Sequence, residues 1–181
     1  ATGAMVWESD ERESDEVGYL AVDPDRARLY VVGTWPRGTG EALAVTALRT
    51  TTGETLWRRR LTPGSDPYGN PVEATPDGKN LIVLGYVSES RTMVTSLRSR
   101  DGKFQWRNRL RLDWSGDVEA DGRKVYVSGG GWKTRYYESY RTVAYDSIDG
   151  RQAWARTWDG GHDGNPGDYE DDEEWATASV L

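Results

Sequence analysis

Acidic residues are the groups in this sequence best suited to chemistry, and they form two clusters, at residues 8–16 and 168–174. Calcium prefers six to eight oxygen ligands, so carboxylates on a glycine- and asparagine-containing loop could bind it. Residues 163–165, just before the second cluster, lack the alternating aspartate spacing and the distal glutamate of a calcium loop. The sequence therefore predicts at most a weak calcium site, from Asp163, Asn165, Asp168 and Asp171. The competing interpretation is a solvated loop that keeps a sheet edge soluble.

The only histidine is His162, and it lies in a glycine-rich stretch at residues 159–167. A proton-shuttling role would need a partner within hydrogen-bond reach, and no nucleophile motif stands near it in the sequence. The chain has no cysteine, which excludes disulfides, thiolate catalysis and zinc–thiolate sites. We therefore predict no catalytic residue and interpret His162 as a solvated loop side chain.

Overall charge and hydrophobicity narrow the classes of partner. The net charge is −7, which argues against nucleic-acid binding because phosphates need a clustered positive surface. No apolar run approaches 18 residues, so we expect no membrane span. Some predicted strands carry several arginines, whose stems are expected to cover apolar surface and discourage edge pairing, with an anion-binding patch as the alternative. The arginines in question are Arg58, Arg59, Arg60, Arg107, Arg109 and Arg111.

Aromatic side chains are the other candidates for recognition. The sequence contains 9 Trp and 10 Tyr but 1 Phe. Exposed aromatic residues on loops held by a rigid scaffold commonly form binding surfaces. The sequence predicts such a loop at residues 132–140, able to bind protein or glycan. Its candidate binding residues are Trp132, Tyr136, Tyr137 and Tyr140.

Four tryptophans set the architecture that must position these groups. They are spaced 50, 49 and 48 residues apart, and each follows a glycine by four positions. Self-similarity at a fixed period of about 20–50 residues is typical of stacked supersecondary units. The four pairs are Gly3 and Trp7, Gly53 and Trp57, Gly102 and Trp106, and Gly150 and Trp154.

Each unit has room for four short strands. Turn-forming residues separate runs of β-branched and aromatic residues, and we expect a variable polar loop between the second and third strands. The predicted first strands are 19–22, 71–74 and 117–120, and the second strands are 29–33, 81–85 and 125–129. The third strands are 43–48, 92–97 and 142–145, and the fourth are 55–61, 104–110 and 152–157.

The predicted fold is all-β, a β-propeller segment of three four-stranded antiparallel blades plus a half blade at the ends. The blades are assigned to residues 17–64, 65–115 and 116–160. Residues 1–16 contain the last strand of a preceding blade, and residues 161–181 hold an acidic loop and the first strand of a following one. Propellers typically have four to eight blades, so we expect a segment of a larger propeller. The alternative is completion of the end blades by another copy of the chain.

Two runs carry a resemblance to a known family. Residues 142–154 (TVAYDSIDGRQAW) and 47–57 (ALRTTTGETLW) resemble the PQQ-like β-propeller repeat, A-x-D-x-x-T-G-x-x-x-W. The resemblance implies that the motif alanine, glycine and tryptophan are structural and pack each blade on its neighbour. The small residues are then Ala47, Ser96 and Ala144. The motif aspartate is present as Asp146, but Arg49 and Arg98 replace it in the other units.

The resemblance also bears on function. It implies a non-catalytic repeat protein of the quinoprotein alcohol dehydrogenase-like superfamily, acting as a binding scaffold in a bacterial secreted or envelope protein. The alternative is part of a PQQ-dependent dehydrogenase or other propeller enzyme whose active residues lie outside this segment. Because nothing matches a quinone site, we do not expect PQQ to bind. A third class is an outer-membrane assembly scaffold built on such a propeller, which would need a lipidated cysteine upstream.

Overall fold

The computed structural model describes residues 5–8, 17–37, 40–61, 71–88, 91–134 and 137–159. These residues form three four-stranded antiparallel sheets, which we call blades 1, 2 and 3. Within each blade the strand order follows the chain, so every strand pairs with the next one. The prediction of an all-β propeller segment with three four-stranded blades is confirmed for the described residues.

The strands have the following bounds. Blade 1 contains β1 (Val17–Asp23), β2 (Arg28–Arg37), β3 (Gly40–Arg49) and β4 (Thr55–Arg60), with a 3-10 turn, Pro24–Arg26, between β1 and β2. Blade 2 contains β5 (Val72–Ala74), β6 (Asn80–Ser88), β7 (Arg91–Arg98) and β8 (Phe104–Leu110). Blade 3 contains β9 (Trp114–Ala120), β10 (Lys124–Thr134), β11 (Tyr137–Asp146) and β12 (Gln152–Asp159).

The second and third strands of each blade are longer than predicted. The segments expected as variable loops instead continue the hairpin ladder, down to the pairs Arg37 with Gly40 and Thr134 with Tyr137. The loop prediction was wrong because it took polar composition as evidence against a strand. A hairpin end can continue as a two-stranded ladder without an apolar face, because the hydrogen bonds between the two strands do not depend on the side chains.

Two boundaries also differ from the prediction. Strand β9 begins at Trp114, two residues before the predicted start of the third blade. Residues 5–8 were expected in a fourth strand, yet they carry no strand assignment. The predicted following strand, within residues 161–181, lies outside the described residues.

Each blade has two faces, which we distinguish by the position of the tryptophan. The front face carries it, at the end of a row of paired residues that crosses the sheet, and the back face lies opposite. In blade 1 the front row is Ala21, Tyr30, Ala47 and Trp57. The equivalent rows are Glu73, Ile82, Ser96 and Trp106 in blade 2, and Glu119, Tyr126, Ala144 and Trp154 in blade 3.

The cores lie between blades. One buried cluster joins Tyr30 and Val45 on the front of blade 1 to Val72 and Val83 on the back of blade 2. A second cluster joins the front of blade 2 to the back of blade 3 in the same way. The first strands are also adjacent, since β5 contacts both β1 and β9. Each blade therefore depends on its neighbours for burial.

The turn between the third and fourth strands is the same in all three blades. In blade 2 the Gly102 amide donates to the Arg98 carbonyl oxygen over 2.8 Å, and Gly102 has a φ of 66°. The equivalent glycines, Gly53 and Gly150, both have a φ of 72°. This left-handed geometry costs an L-residue about 1–2 kcal/mol, and glycine avoids that cost.

A comparison of two glycines separates this backbone cost from packing. Gly122 has a φ of 87° and open space where a Cβ would lie, whereas a Cβ on Gly102 would come 2.7 Å from Trp57 Cε3. We expect Gly122→Ala to lower the free energy of unfolding by about 1–2 kcal/mol. Gly102→Ala should lower it by about 1–3 kcal/mol more, because it also displaces a packed ring. Urea denaturation of both variants tests this, and equal losses would contradict it.

Candidate functional site

In blades 1 and 2, the tryptophan at the end of the front row contacts the turn of the next blade. Trp57 Nε1 donates to the Ser99 carbonyl oxygen over 2.9 Å, and the Trp57 ring lies against Gly102. We call this hydrogen bond, together with the ring-on-glycine contact, the tryptophan clamp. Blades 2 and 3 are joined by an equivalent clamp, formed by Trp106, Ser147 and Gly150.

Trp7 and Trp154 are the first and the last of the four motif tryptophans. Trp7 Nε1 donates to the Thr50 carbonyl oxygen over 2.6 Å, and its ring lies against Gly53, so Trp7 forms a clamp on blade 1 although it is not in a strand. Trp154 has no glycine turn in contact within the described residues. It remains 40% exposed, whereas Trp106 is 9% exposed. Gly3, the partner of Trp7 in the repeat, lies outside the described residues.

A second donor accompanies the tryptophan and was missed in the sequence. Two residues after Trp57, Arg59 Nε donates to the Gly102 carbonyl oxygen over 2.8 Å. Two residues after Trp106, Asn108 Nδ2 donates to the Gly150 carbonyl oxygen over 2.6 Å. The available signal was a polar donor at this position in each unit, which includes Arg156 in blade 3.

The turn residue that accepts the indole N–H is held within its own blade. The Ser99 amide donates to the Lys79 carbonyl oxygen over 2.8 Å, and the Ser99 hydroxyl donates to the Gly78 carbonyl oxygen. In blade 3 the Ser147 amide donates to the Arg123 carbonyl oxygen over 3.0 Å. The turn between the third and fourth strands is thereby fixed to the turn between the first and second strands of the same blade, and we call these the outer and the inner turn.

The small motif residues lie directly beside the tryptophans. Ala47 pairs with Trp57, Ser96 with Trp106 and Ala144 with Trp154, and all three small residues are fully buried. The Ser96 hydroxyl has no hydrogen-bond partner within the described residues. The front row therefore has room for the ring only because its neighbour is small.

The motif aspartate and its arginine replacements form different ion pairs. Asp146 accepts a hydrogen bond from the Ile148 amide over 3.0 Å and pairs with Lys124 over 3.2 Å, and these contacts lower the pKa of Asp146. Arg49 and Arg98 instead pair with acidic residues inside their own turns, Glu54 at 3.0 Å and Asp101 at 2.9 Å. The turn keeps its geometry with either charge.

Three carboxylates on neighbouring first strands form a cluster of like charge, with Glu73 on β5 and Asp117 and Glu119 on β9. Glu73 on β5 is half-buried, and burial, followed by the charges of Glu119 and Asp117, raises the pKa of Glu73 to about 7. Burial and Asp117 also raise the pKa of Glu119. The signal in the sequence was the Val-Glu-Ala run present in both first strands, which we had treated only as strand pattern.

Two of the six arginines contact the neighbouring blade. Arg107 Cζ lies 4.4 Å and Arg59 Cζ 5.8 Å from the centroid of the Phe104 ring. Arg107 also donates to the Leu61 carbonyl oxygen of blade 1 over 3.0 Å. These contacts are made by the guanidinium groups, so the packing role expected for the stems stays a prediction.

The candidate binding residues are not all in a loop. Trp132 lies in β10, and Tyr137 and Tyr140 lie in β11, while Tyr136 is outside the described residues. Among the described residues, β10 pairs with β9 as far as Gly130, and β11 pairs with β12 from Ser139 onward. Between these limits β10 and β11 pair with each other, and we call this two-stranded part the ribbon.

The predicted calcium ligands Asp163, Asn165, Asp168 and Asp171, together with His162, lie outside the described residues. Within the described ranges, no group of three or more histidine or acidic side chains is arranged to hold a metal ion. The same ranges contain no helix with the length and apolar character needed to cross a membrane.

Comparison with known proteins agrees with this geometry. A profile of the PQQ_2 family, described as outer membrane protein assembly factor BamB, matches residues 41–165, which is more than half of the chain. The chain belongs to this family of PQQ-like β-propeller proteins. No curated protein sequence matches it.

Solved structures share the fold. BamB from Moraxella catarrhalis has a TM-score of 0.60 at 20% identity, over 85% of this chain and 40% of that one. The quinohemoprotein alcohol dehydrogenase ADHIIG from Pseudomonas putida HK5 has a TM-score of 0.53 at 19% identity, over 80% and 21%. The chain thus spans about two fifths of BamB. A fold shared by an assembly factor and a dehydrogenase does not determine function.

The first prediction from these contacts compares two tryptophans at equivalent positions. Trp106→Ala should lower the free energy of unfolding by about 3–5 kcal/mol, because the buried ring and its clamp are lost. Trp154→Ala should lower it by less than about 1 kcal/mol, because Trp154 is exposed and clamps no turn among the described residues. Guanidinium denaturation followed by circular dichroism measures both, and a loss for Trp154→Ala as large as that for Trp106→Ala would be inconsistent with this geometry.

The second prediction concerns Glu73 and pH. Between its ordinary pKa of about 4.3 and its folded value near 7, the folded protein keeps a proton that the unfolded chain has lost. The free energy of unfolding therefore falls as pH rises through this range, and it reaches its lower value above pH 7. Because Glu73 is only half-buried, solvent screening limits the effect to about 1 kcal/mol.

Glu73→Gln should accordingly be more stable than the wild type at pH 8 and equally stable at pH 4. Urea denaturation across this range tests it. Glu119→Gln serves as a second probe, because removing its charge should move the pH dependence attributed to Glu73 to lower pH. Parallel stability curves for Glu73→Gln and the wild type would rule the assignment out.

Proposed function

We propose that this chain is a non-catalytic propeller segment that acts as a protein-binding scaffold in a bacterial envelope or secreted protein. The observation that carries the proposal is the ribbon of blade 3. Its aromatic residues, Trp132 and Tyr137, lie on β10 and β11 where, within the described residues, these strands pair with each other and with neither β9 nor β12. Membership of a family described by an outer membrane assembly factor supports a binding role over a catalytic one.

The geometry favours an extended polypeptide as the partner. Between Gly131 and Glu138 the two strands pair with each other and with neither neighbour in the part of the chain that the structure describes, where each has one edge without a ladder partner. An extended peptide can add to such an edge through main-chain hydrogen bonds, while side chains on the ribbon select it. A glycan would use the aromatic residues without needing the edges.

A binding experiment separates these partners. The probe is a fluorescent peptide of alternating apolar and polar residues, taken from a transmembrane strand of an outer-membrane β-barrel. Its matched control contains proline at alternate positions and cannot form a ladder. We expect anisotropy to show binding of the first peptide only, and at least a tenfold weaker affinity for the Trp132→Ala/Tyr137→Ala variant.

Ile148→Ala is the control variant, since Ile148 is 84% exposed in the turn at the other end of β11. It should bind the peptide like the wild type. Equal binding of the proline peptide, or binding of a peptidoglycan disaccharide in place of the peptide, would contradict the proposal.

The competing function is that of a propeller enzyme. The fold shared with the dehydrogenase and the carboxylate cluster of Glu73, Asp117 and Glu119 are the observations that favour it. Titration with PQQ and calcium, followed by absorbance, tests it directly. We expect no saturable spectral change, and a stoichiometric change that Glu73→Gln abolishes would favour the enzyme instead.

A further inference from the structure

Three arginines lie together where the fourth strands of blades 1 and 2 meet. Arg59 belongs to β4, and Arg107 belongs to β8, from which it donates to the Leu61 carbonyl oxygen across the junction. Both guanidinium groups lie near one ring, that of Phe104. Arg109 is two residues after Arg107 in β8, so it projects from the same side of the strand. We call the side chains of Arg59, Arg107 and Arg109 the arginine cluster.

The arginine cluster carries positive charge that the described residues do not neutralise. None of its members forms an ion pair with a carboxylate in the ranges that the structure describes. Partial burial, followed by the charge of Arg109, lowers the pKa of Arg107. Residues 62–70, which follow β4 outside the described ranges, contain a single acidic residue, Asp66, which cannot balance three cations. The cluster is thus a local excess of positive charge in a chain of net charge −7.

The docking of one blade on the next does not need these charges. The equivalent positions at the junction between blades 2 and 3 hold, in the same order, Asn108, Ala155 and Thr157, which are all uncharged. Blades 2 and 3 nevertheless share a buried core, and Asn108 keeps the hydrogen bond to the motif glycine. Like charges held close together repel each other. The clustering is therefore a cost that blade packing does not explain, and a bound anion would offset it.

We propose that the arginine cluster is a binding site for a terminal phosphate group. One carboxylate has two oxygens and is satisfied by one guanidinium fork, whereas a terminal phosphate has three acceptor oxygens and can bind more than one fork. Hydrogen bonds to backbone carbonyl groups orient Arg59 and Arg107, and each guanidinium keeps further N–H donors. The site lies at a different junction from the ribbon, so it does not rest on the proposed peptide binding.

Arg107 and Arg109 are exposed, so the phosphate can belong to a soluble compound or to a lipid headgroup. Isothermal titration calorimetry with pyrophosphate tests the first source. Sedimentation with phosphatidylcholine vesicles that contain phosphatidic acid tests the second, with pure phosphatidylcholine vesicles as the blank. Binding in either arm supports the phosphate site, and the arm that responds identifies the source.

The decisive variant is Arg107→Ala/Arg109→Thr, which introduces the residues of the next junction. It should weaken binding by about tenfold or more, because both exposed forks are lost. The control, Arg123→Ala/Arg151→Ala, removes the same charge from exposed arginines of blade 3 and should bind like the wild type. Should the first variant lose native circular dichroism, Arg109→Thr alone should still weaken binding by about threefold or more, since the Arg109 side chain is exposed.

Three outcomes overturn the proposal. Absence of binding in both arms means that the arginine cluster holds no phosphate. An equal loss of binding in the control variant means that net charge alone attracts the probes. Tighter binding of polyglutamate than of pyrophosphate, lost in Arg107→Ala/Arg109→Thr, assigns the cluster to an acidic protein instead.

Discussion

The stack of blades depends on the contact between an indole ring and a glycine in the left-handed conformation. The ring approaches the turn so closely that no Cβ fits between them, and the same turn offers a carbonyl oxygen to the indole N–H. Glycine therefore meets two requirements at Gly102, the backbone geometry and the space for Trp57. A buried indole with an unsatisfied N–H would be costly, so the ring and the turn are fixed together.

Apolar faces on both sides of every sheet explain why the contact is needed. A blade buries little by itself, and its side chains become a core only when a neighbouring blade covers them. The sequence has drifted wherever this arrangement permits. Arginine replaces the motif aspartate at Arg49 and Arg98, and each finds an acid in its own turn. Arg59 and Asn108 are different side chains, yet both donate to the carbonyl oxygen of the next motif glycine.

The sequence predicted the structure correctly at positions where a single physical requirement allows only one or two residue types. The glycine–tryptophan spacing and the turn residues predicted the three blades and most strands, because positive φ and ring burial each allow few substitutes. It failed at the hairpin ends, such as residues 131–134 and 137–138, because a ladder between two strands places no demand on composition. It also passed over Glu73, whose raised pKa depends on carboxylates from a strand more than 40 residues away. Pairings of that kind become visible only when the blades are stacked.

The junction at Thr50, Ser99 and Ser147 gives the stack a direction. Each of these residues donates its amide to the inner turn of its own blade and accepts the indole of the preceding blade. Each junction is therefore shared by two blades. Distortion of the turn at Gly150 would disturb both the hydrogen bond from Ser147 to Arg123 within blade 3 and the one from Trp106 of blade 2 to Ser147.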